Sequence, residues 1–491
     1  MPSRLSSPES AQGTPHASAR VRASGRRSPP PSPAWSPSWR RQGLRRPPTL
    51  PLHRALPPLL RRDLLRLFEN AAAGGPLVRL DAAGFRLLQV NDEALMREIL
   101  LDKGRVYRKA RLMRRLGVIT GEGLLINEGE LWKRHRRLAN PALAAGSLPR
   151  YVPAMREGVA QTAARWRGRE ADAPLDLVAE LSRTTLTSLL DSIFGIRGES
   201  GILDDRMARV SGVIHALLDE LVRQGSALAA PPLSWPTPGN LRFRRRIAEA
   251  NAILDDIIAK RRTDLADTDA PADLLGQWLQ QRRRDPEHFS ALEMRDELMT
   301  MLIAGHHSLA IALAWALYHV ALDEDLQAAV RSEVDAAPDL PQSLEDLAHL
   351  PLARGVLLEA LRLYPQPPIL LREAVAGHGL GGYHIRAGDQ LVLSIPALHR
   401  DPAHWPQPER FDAGRFAGFN GDGMMQGHHL GFGGGARSCI GRRFALLEGV
   451  LVLAQMLRAF RLRPVGAEPV PPRFAGMLVP AAPLLVRAES R

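Results

Sequence analysis

The chain has 491 residues, enough for one large hydrophobic core or several smaller ones, and 45% of them are hydrophobic, as in ordinary globular proteins. Its single cysteine excludes an intramolecular disulfide framework, which favours a reducing, cytoplasmic location. The formal charge of +13 is concentrated before residue 47, where nine arginines stand against one acidic residue, so it gives little support to nucleic-acid binding.

Residues 1–46 are rich in Pro, Ser and Arg and lack the apolar segment of an ordinary secretory signal. Such a composition cannot bury enough apolar surface to offset the entropy lost on ordering. We therefore expect a disordered tail over residues 1–46, followed by one domain over residues 47–491. A start codon assigned too early, or a peripheral contact with anionic lipid, would account for the same segment.

The pattern of apolar residues from residue 59 onward is mostly helical, with a smaller share of strands. The first predicted elements are a helix over residues 59–73 and a hairpin over residues 76–90, with Gly84 near its turn. A long charged helix is then predicted over residues 240–262.

The most apolar helix is predicted over residues 292–320, and its composition suits the centre of a protein. Its longest apolar stretch, residues 302–317, is interrupted by Gly305, two histidines and Ser308. This stretch falls short of the roughly 18 uncharged residues that a membrane-spanning helix needs, so we expect no transmembrane segment.

The remaining predicted elements are a helix over residues 352–363 that is stopped by prolines, strands over residues 383–395, a turn-rich segment over residues 402–419 and a last helix over residues 440–460. No internal repeat of roughly 20–50 residues is visible. The chain is therefore predicted to be mainly α with a minor β part.

The strongest local signal is a glycine-dense loop that runs into the last helix: Phe432-Gly-Gly-Gly-Ala-Arg-Ser-Cys439-Ile-Gly441. Glycines let the backbone turn tightly and approach a flat ligand, and the N–H groups and dipole at a helix N-terminus favour a thiolate. A thiolate is the axial ligand that pushes electron density onto haem iron and favours O–O cleavage. A structural core cysteine is the ordinary alternative, and zinc is poorly supported because no second cysteine exists.

This loop resembles the haem-binding pattern Phe-x-x-Gly-x-Arg-x-Cys-x-Gly of the cytochrome P450 family. The resemblance extends over about residues 47–487. It implies a mainly α fold with a minor β subdomain, in which haem b (iron protoporphyrin IX) is sandwiched between the long central helix and the C-terminal cysteine-bearing loop and helix. It makes Cys439 the metal ligand, and it assigns the following loop residues to the cofactor: Phe432, Gly433, Gly435, Arg437, Cys439 and Gly441.

Glu359 and Arg362 form a Glu-x-x-Arg motif on one face of a predicted helix. Such a pair, taken alone, is a common surface ion pair that contributes little to stability. In the family, this motif forms a structural network with an arginine from a later loop, and we assign Arg410 of Pro408-Glu-Arg-Phe411 to that position. The resemblance therefore implies a role in folding and haem retention for Glu359, Arg362 and Arg410.

The two propionates of a haem need cationic or N–H donors. The segment from Trp132 to Arg136 resembles the family's Trp-x-x-x-Arg helix, which contacts one propionate. Arg372 lies where the family places another propionate-binding arginine, and Arg437, two residues before the cysteine, resembles a third.

The central helix departs from the family at the segment that activates oxygen. Ala304-Gly-His-His-Ser308 matches the family's Ala-Gly-x-acid-Thr only in part, because His307 replaces the carboxylate and Ser308 replaces the threonine. We assign catalysis to Gly305, His307 and Ser308, with His307 as a possible proton relay. Two alternatives stay open: protons arrive through solvent and Ser308, or the chemistry needs no relay.

The resemblance places apolar residues around the substrate, so we expect a hydrophobic small molecule such as a terpenoid, fatty acyl or polyketide-like compound. The chain shows no dinucleotide-binding fingerprint and no iron–sulfur cysteine spacing. Its electron donor is therefore expected to be a separate ferredoxin or flavodoxin-type protein, and the chain itself is expected to be a monomer.

The resemblance predicts a monooxygenase that inserts one atom of dioxygen into its substrate. A haem-thiolate isomerase, dehydratase or peroxygenase would suit the departure at His307 and Ser308. A non-catalytic haem-binding gas sensor is the alternative from another functional class, and it is weakened because no signalling domain is recognised in the chain.

Overall fold

The computed structural model describes residues 43–491 apart from residues 62, 83–84, 103–105, 171–172, 197–211, 214–234, 266–272, 287–288, 419–427 and 467. The predicted hairpin turn at Gly84 lies outside the described residues, as do residues 1–42 of the expected tail. Within the described part of that tail, the N–H of Arg45 donates to the carbonyl of Gly382 (2.9 Å). The domain boundary after residue 46 stays a prediction.

Helices account for most of the described chain. In chain order they are α1 Leu52–Leu60, α2 Leu64–Ala72, α3 Glu93–Leu101, α4 Arg111–Arg114, α5 Gly117–Thr120, α6 Gly129–Ala139, α7 Val152–Arg167, α8 Leu177–Phe194, α9 Pro238–Asp264, α10 Leu274–Arg284, α11 Ala291–Gly305, α12 His307–Leu322, α13 Glu324–Ala336, α14 Pro351–Leu363, α15 Ile395–His399 and α16 Arg442–Ala459. Short 3-10 helices lie at Asn140–Leu143, Ala145–Tyr151, Glu345–His349, Ala413–Phe416 and Gly435–Arg437.

The strands are short and form small sheets at the side of the helices. They are β1 Leu77–Ala82, β2 Phe85–Val90, β3 Tyr107–Lys109, β4 Leu175–Asp176, β5 Ile369–Ala374, β6 His378–Leu380, β7 Tyr383–Ile385, β8 Gln390–Ser394, β9 Phe460–Pro464, β10 Pro472–Phe474, β11 Leu478–Pro480 and β12 Leu485–Ser490. The largest sheet has the order β1-β2-β8-β5-β3, in which only β2 and β8 are parallel. The mainly α prediction with a minor β part is confirmed.

Most predicted elements are present with ends shifted by a few residues. The helix expected over residues 59–73 is instead two helices, because Asp63 caps α2 by accepting the N–H of Arg66 (3.0 Å). Strands β7 and β8 flank residues 387–388 as expected, but β7 pairs with β6 whereas β8 pairs with β2 and β5.

The core is centred on α12, which packs against α8 and α14. Residues 310–317 of α12 are almost inaccessible to solvent, so this helix is apolar on every face. Taken together as Ala291–Leu322, α11 and α12 are long and apolar enough to cross a membrane, and among the described residues they alone meet that test. However, 78% of their most apolar window is buried inside the protein, as expected of a core helix.

The continuous helix predicted over residues 292–320 is broken at His306, where α11 ends and α12 begins. The hydroxyl of Ser308 donates to the carbonyl of Ala304 (2.8 Å), and the hydroxyl of Thr185 donates to the carbonyl of His306 (3.1 Å). Side-chain hydroxyls that bond to helix carbonyls bend helices. The break is therefore built from the same residues that the sequence marks as unusual.

Glu448 provides a test of this core. Its side chain is buried on α16, and burial raises the pKa of its carboxyl to about 8. The native state therefore keeps a proton that the unfolded state releases, and stability is lost as pH rises from the unfolded pKa toward pH 8. We expect Glu448→Gln to raise the melting temperature clearly at pH 8 and little at pH 5.

Thermal unfolding at both pH values measures this effect. Glu249→Gln, on the exposed side of α9, is the matched control and should shift neither value. An equal effect of Glu448→Gln at pH 5 and pH 8 would show that the carboxyl is charged in the native state.

Candidate active site around Cys439

The glycine-rich loop folds back on itself before α16. The N–H of Cys439 donates to the carbonyl of Phe432 (2.9 Å), which closes the loop. Gly433 and Gly435 have φ values of 69° and 67°, a region that residues with a side chain rarely adopt. At Gly435 an added Cβ would also collide with the carbonyl oxygen of Leu100 on α3. The glycine predicted at that position is therefore required by close backbone contact.

The sulfur of Cys439 sits at the junction of the loop and α16. The side chain of Cys439 is exposed, although many protein atoms surround it. Burial raises the pKa of the Cys439 thiol, while the N–H of Gly441 and the guanidiniums of Arg136 and Arg442 act in the opposite direction. A metal ion bound at the sulfur would complete the deprotonation, because a coordinating thiol loses its proton.

Two arginines predicted to contact a propionate lie against the cysteine loop. Arg136 on α6 donates to the carbonyl of Ser438 (3.0 Å). Arg437 donates to the carbonyl of Asn127 (2.8 Å), and its guanidinium lies 4.0 Å from the centre of the Trp132 ring. The structure thus brings Trp132, Arg136 and Arg437 together beside the sulfur.

Arg372 joins a second group of cations that includes Lys109, a residue that sequence reasoning missed. Burial lowers the pKa of both side chains, and the pKa of Lys109 falls to about 7 because Arg437 and Arg372 are also close. Lys109 donates to the carbonyl of Leu125. No spacing in the sequence signals this lysine, because the strand pairing of β3 with β5 is what brings it beside Arg372.

The charges around these cations are unbalanced. Glu128 is the carboxylate that raises the pKa of Lys109, Arg372 and Arg437 alike. Desolvated cations in excess of anions are costly unless a ligand neutralises them. A haem, which carries two propionates, would supply anions where this cluster needs them, so the donor set fits that group.

Arg362 lies at the centre of a fully buried network. A guanidinium has five N–H donors, and each of them finds an acceptor here. Arg362 bonds to both carboxylate oxygens of Glu359 at 2.7 and 2.8 Å. The other acceptors are carbonyl oxygens, those of His399 (2.7 Å), Pro408 (2.7 Å) and Arg410 (3.2 Å).

The prediction that Arg410 is the third arginine of this network is wrong. Its carbonyl accepts from Arg362, but its own guanidinium points to the amide oxygen of Gln407 (3.4 Å). The side chain that reaches Glu359 is Arg415, at 3.2 Å. The segment over residues 408–416 contains two Arg-Phe pairs, at residues 410–411 and 415–416, and the 3-10 helix Ala413–Phe416 turns the second one inward.

Two buried histidines connect this network to the cysteine loop. His399 donates from Nδ1 to the carbonyl of Arg362 (2.8 Å) and accepts from the N–H of Leu430 at Nε2 (2.7 Å). His429 donates to the carbonyl of Leu358 (3.0 Å) and accepts from Gly431 (3.3 Å). Burial lowers the pKa of both rings, that of His429 to about 4, so both are neutral.

The helix break lies at the residues predicted to be catalytic. Ala304 is exposed although residues 301–303 are buried, so the break opens one face of a core helix. Gly305 packs against Leu189, and His306 is buried with Nδ1 bonded to the carbonyl of Leu302 (2.8 Å). His307 and Ser308 are both partly exposed. The small residues and the hydroxyl are thus accessible, as oxygen chemistry would require.

The family model described as cytochrome P450 matches residues 46–487. The chain belongs to the cytochrome P450 family. It is 32% identical to the protein LUTEIN DEFICIENT 5 of Arabidopsis thaliana over 82% of this chain and 70% of that protein. It is 30% identical to cyclooctat-9-en-7-ol 5-monooxygenase of Streptomyces melanosporofaciens over 82% of this chain and 86% of that protein.

A solved structure, the haem domain of cytochrome P450DA, superimposes with a TM-score of 0.76 at 26% identity, over 91% of this chain and 97% of that one. The fold predicted from the cysteine loop is therefore confirmed. This chain is a cytochrome P450 monooxygenase, and the cofactor of its family is haem.

The corrected network predicts a difference between two arginines of this P450. Arg415→Ala removes a donor from the buried Glu359 and should lower the unfolding free energy by about 1–3 kcal/mol. The melting temperature and the haem content should fall with it. Arg410→Ala removes only an exposed side chain and serves as the matched control. Thermal unfolding and haem-to-protein absorbance ratios measure the two effects. If both variants were equally destabilised, the assignment to Arg415 would be wrong.

Proposed function

We propose that this P450 inserts one oxygen atom from dioxygen into a hydrophobic organic substrate, with haem b held by Cys439 and electrons supplied by a separate ferredoxin or flavodoxin-type protein. The observation that carries the proposal is the closed loop at Cys439, with Arg136 and Arg442 close to the sulfur. When bound, a thiolate-ligated haem supplies the chemistry that cleaves the O–O bond.

The chain's own residues would prepare the sulfur and hold the cofactor. The N–H of Gly441 and the guanidiniums of Arg136 and Arg442 stabilise negative charge on Cys439. Lys109, Arg372 and Arg437 would bind the propionates, because these cations are desolvated and short of anions. We assign Trp132 and Arg136 to the same end of the cofactor, with Phe432 and the loop glycines covering the sulfur.

Ser308 would deliver a proton at its Oγ atom. Its hydroxyl already donates to the carbonyl of Ala304, so its remaining lone pairs can accept from water or from His307. His307 replaces the family's carboxylate, and its ring can hold or release a proton near neutral pH. A haem-thiolate isomerase, dehydratase or peroxygenase remains the second candidate, because this acid and alcohol pair is incomplete.

The substrate is proposed to be apolar, with terpenoids first among the candidates. Two relatives from Streptomyces are named cyclooctat-9-en-7-ol 5-monooxygenase and pentalenene oxygenase, names that denote an unsaturated alcohol and an alkene. The residues expected around the substrate are apolar here too, and Leu302, Ile303 and Leu478 are buried. A groove of about 590 Å³ lies elsewhere, between Phe68 and Phe474, and no residue of the cysteine loop lines it.

The electron donor is proposed to dock on the cysteine side with an acidic surface. Arg136 and Arg442 lie there, and Lys133 and Arg137 on α6 are exposed. Cationic patches of this kind steer an anionic partner and hold it in register. We further propose a cytoplasmic monomer with a tail over residues 1–46 and one domain over residues 47–491.

The carbon monoxide difference spectrum tests the cysteine assignment. Reduced wild-type protein should give the long-wavelength Soret band of thiolate-ligated haem, whereas Cys439→Ser should lose that band because a hydroxyl is a far weaker anionic ligand. Ser438→Ala is the control, since only the carbonyl of Ser438 makes the contact with Arg136. A Cys439→Ser variant that kept the band would refute the assignment.

The coupling between electron consumption and product tests Ser308. Pentalenene and cyclooctat-9-en-7-ol would be the first compounds in a spin-shift screen, followed by other apolar metabolites. With a compound that is turned over, Ser308→Ala should divert most reducing equivalents to peroxide, while Ser308→Thr should keep or improve coupling because it retains the hydroxyl. Turnover without any reductant would instead favour the isomerase or dehydratase.

A further inference from the structure

Three polar side chains from distant parts of the chain meet beside the entrance to the cysteine loop. Glu93 is the first residue of α3, His404 lies in the turn after α15, and His428 lies just ahead of the loop. One ligand atom from each of the three lies within 4.8 Å of the others. Each side chain is between about one-quarter and one-third exposed, so ions in solution can reach it.

The two imidazoles point at the same atom. Nδ1 of His428 lies 2.5 Å from Oε2 of Glu93, and Nε2 of His404 lies 3.5 Å from that oxygen. The rings are stacked with centres 3.5 Å apart and planes only 10° from parallel. Imidazole nitrogens are common metal ligands, and each ring presents one of its nitrogens to this carboxylate.

A second carboxylate, that of Asp401, completes the group. Oδ2 of Asp401 lies 3.8 Å from Nε2 of His404, and its Oδ1 accepts the N–H of Ala403 (3.0 Å). Asp92 caps α3 by accepting the N–H of Leu95 (3.0 Å), which fixes the start of the helix that carries Glu93. Supports of this kind around the donors orient a metal site.

We propose that Glu93, His404 and His428 bind a divalent transition-metal ion, with Zn²⁺ as the best match, and that Asp401 or water takes the fourth position. Two imidazoles and a carboxylate are common zinc ligands, and tetrahedral geometry places donors about 3.3 Å apart. The observed separations of 2.5 and 3.5 Å lie on either side of that value, and the two stacked rings would have to turn so that both nitrogen lone pairs meet at the ion.

The ion would clamp the cysteine loop to α3 at a second point. The C-terminal end of α3 already contacts the loop, because Gly435 packs against the carbonyl of Leu100. The site at Glu93 would fix the other end of the same helix to His428, next to the buried His429. Zinc binding is therefore expected to stabilise the folded protein around the loop, without a part in the reaction.

Zinc titration of the haem-loaded, full-length protein tests this proposal after metal is removed with a chelator. Competition with a chromophoric zinc indicator should give one ion per chain, and zinc should raise the melting temperature. His404→Ala and His428→Ala should each weaken binding by at least about tenfold. His349→Ala, an exposed histidine outside the group, is the matched control and should leave the affinity unchanged.

Cobalt gives an independent readout, because Co²⁺ in a tetrahedral site absorbs far more strongly than in water. Cys439→Ser should retain the zinc affinity, which separates this site from the sulfur. If the His404 and His428 variants bound zinc as tightly as the wild type, or if no ion bound, the group would be a hydrogen-bonded cluster only. An intact carbon monoxide spectrum in those variants would show that such a failure leaves the proposed function untouched.

Discussion

A buried guanidinium needs a hydrogen-bond acceptor for every N–H group. At Arg362 the hydrogen bonds that meet this requirement hold together the segments around the cysteine. Leaving even one partner out would expose the desolvation cost of a charge, which is several kcal/mol, about as large as the whole stability of many domains. Three of its five donors fix α14 to the end of α15 and the turns after it. The carbonyl of Arg362 also holds His399, which in turn accepts the N–H of Leu430. The loop that presents Cys439 is therefore positioned in part by a buried charge to which we assign no step of the reaction.

The cations near the sulfur carry the same desolvation cost, but their charges are not balanced in the same way. Arg362 is matched by Glu359 within the protein, whereas Lys109, Arg372 and Arg437 share Glu128 and have their pKa values lowered by burial. The first cluster is complete within the protein, whereas the second has more cations than nearby carboxylates, which fits the proposed binding of an anionic cofactor. A network in which every charge has a partner indicates residues that hold the fold. An excess of buried cations indicates residues that hold a ligand.

Local motifs can be recognised in the sequence because their spacing is set by backbone geometry. The loop from Phe432 to Gly441 is one such case, since glycine at 435 is required by the contact with Leu100. Features decided by tertiary packing were not predictable: the choice between Arg410 and Arg415 depends on which way a 3-10 helix turns, and Lys109 reaches the cluster only through the pairing of β3 with β5. The break at His306 was missed because apolar periodicity continues across it, although Gly305 and Ser308 were its signal.

That break also includes the departure from the family pattern at residues 307 and 308. Side-chain hydroxyls that bond to helix carbonyls keep the helix interrupted. The hydroxyls of Ser308 and Thr185 both bond to carbonyls within residues 304–306. Serine provides that bond as threonine would, but without a methyl group its rotamer is less restricted. Ser308 therefore supplies a hydroxyl at the break, but with a freer rotamer than the family's threonine. The adjacent His307 can carry a proton at neutral pH, and solvent reaching the partly exposed Ser308 is the other route by which a proton could arrive.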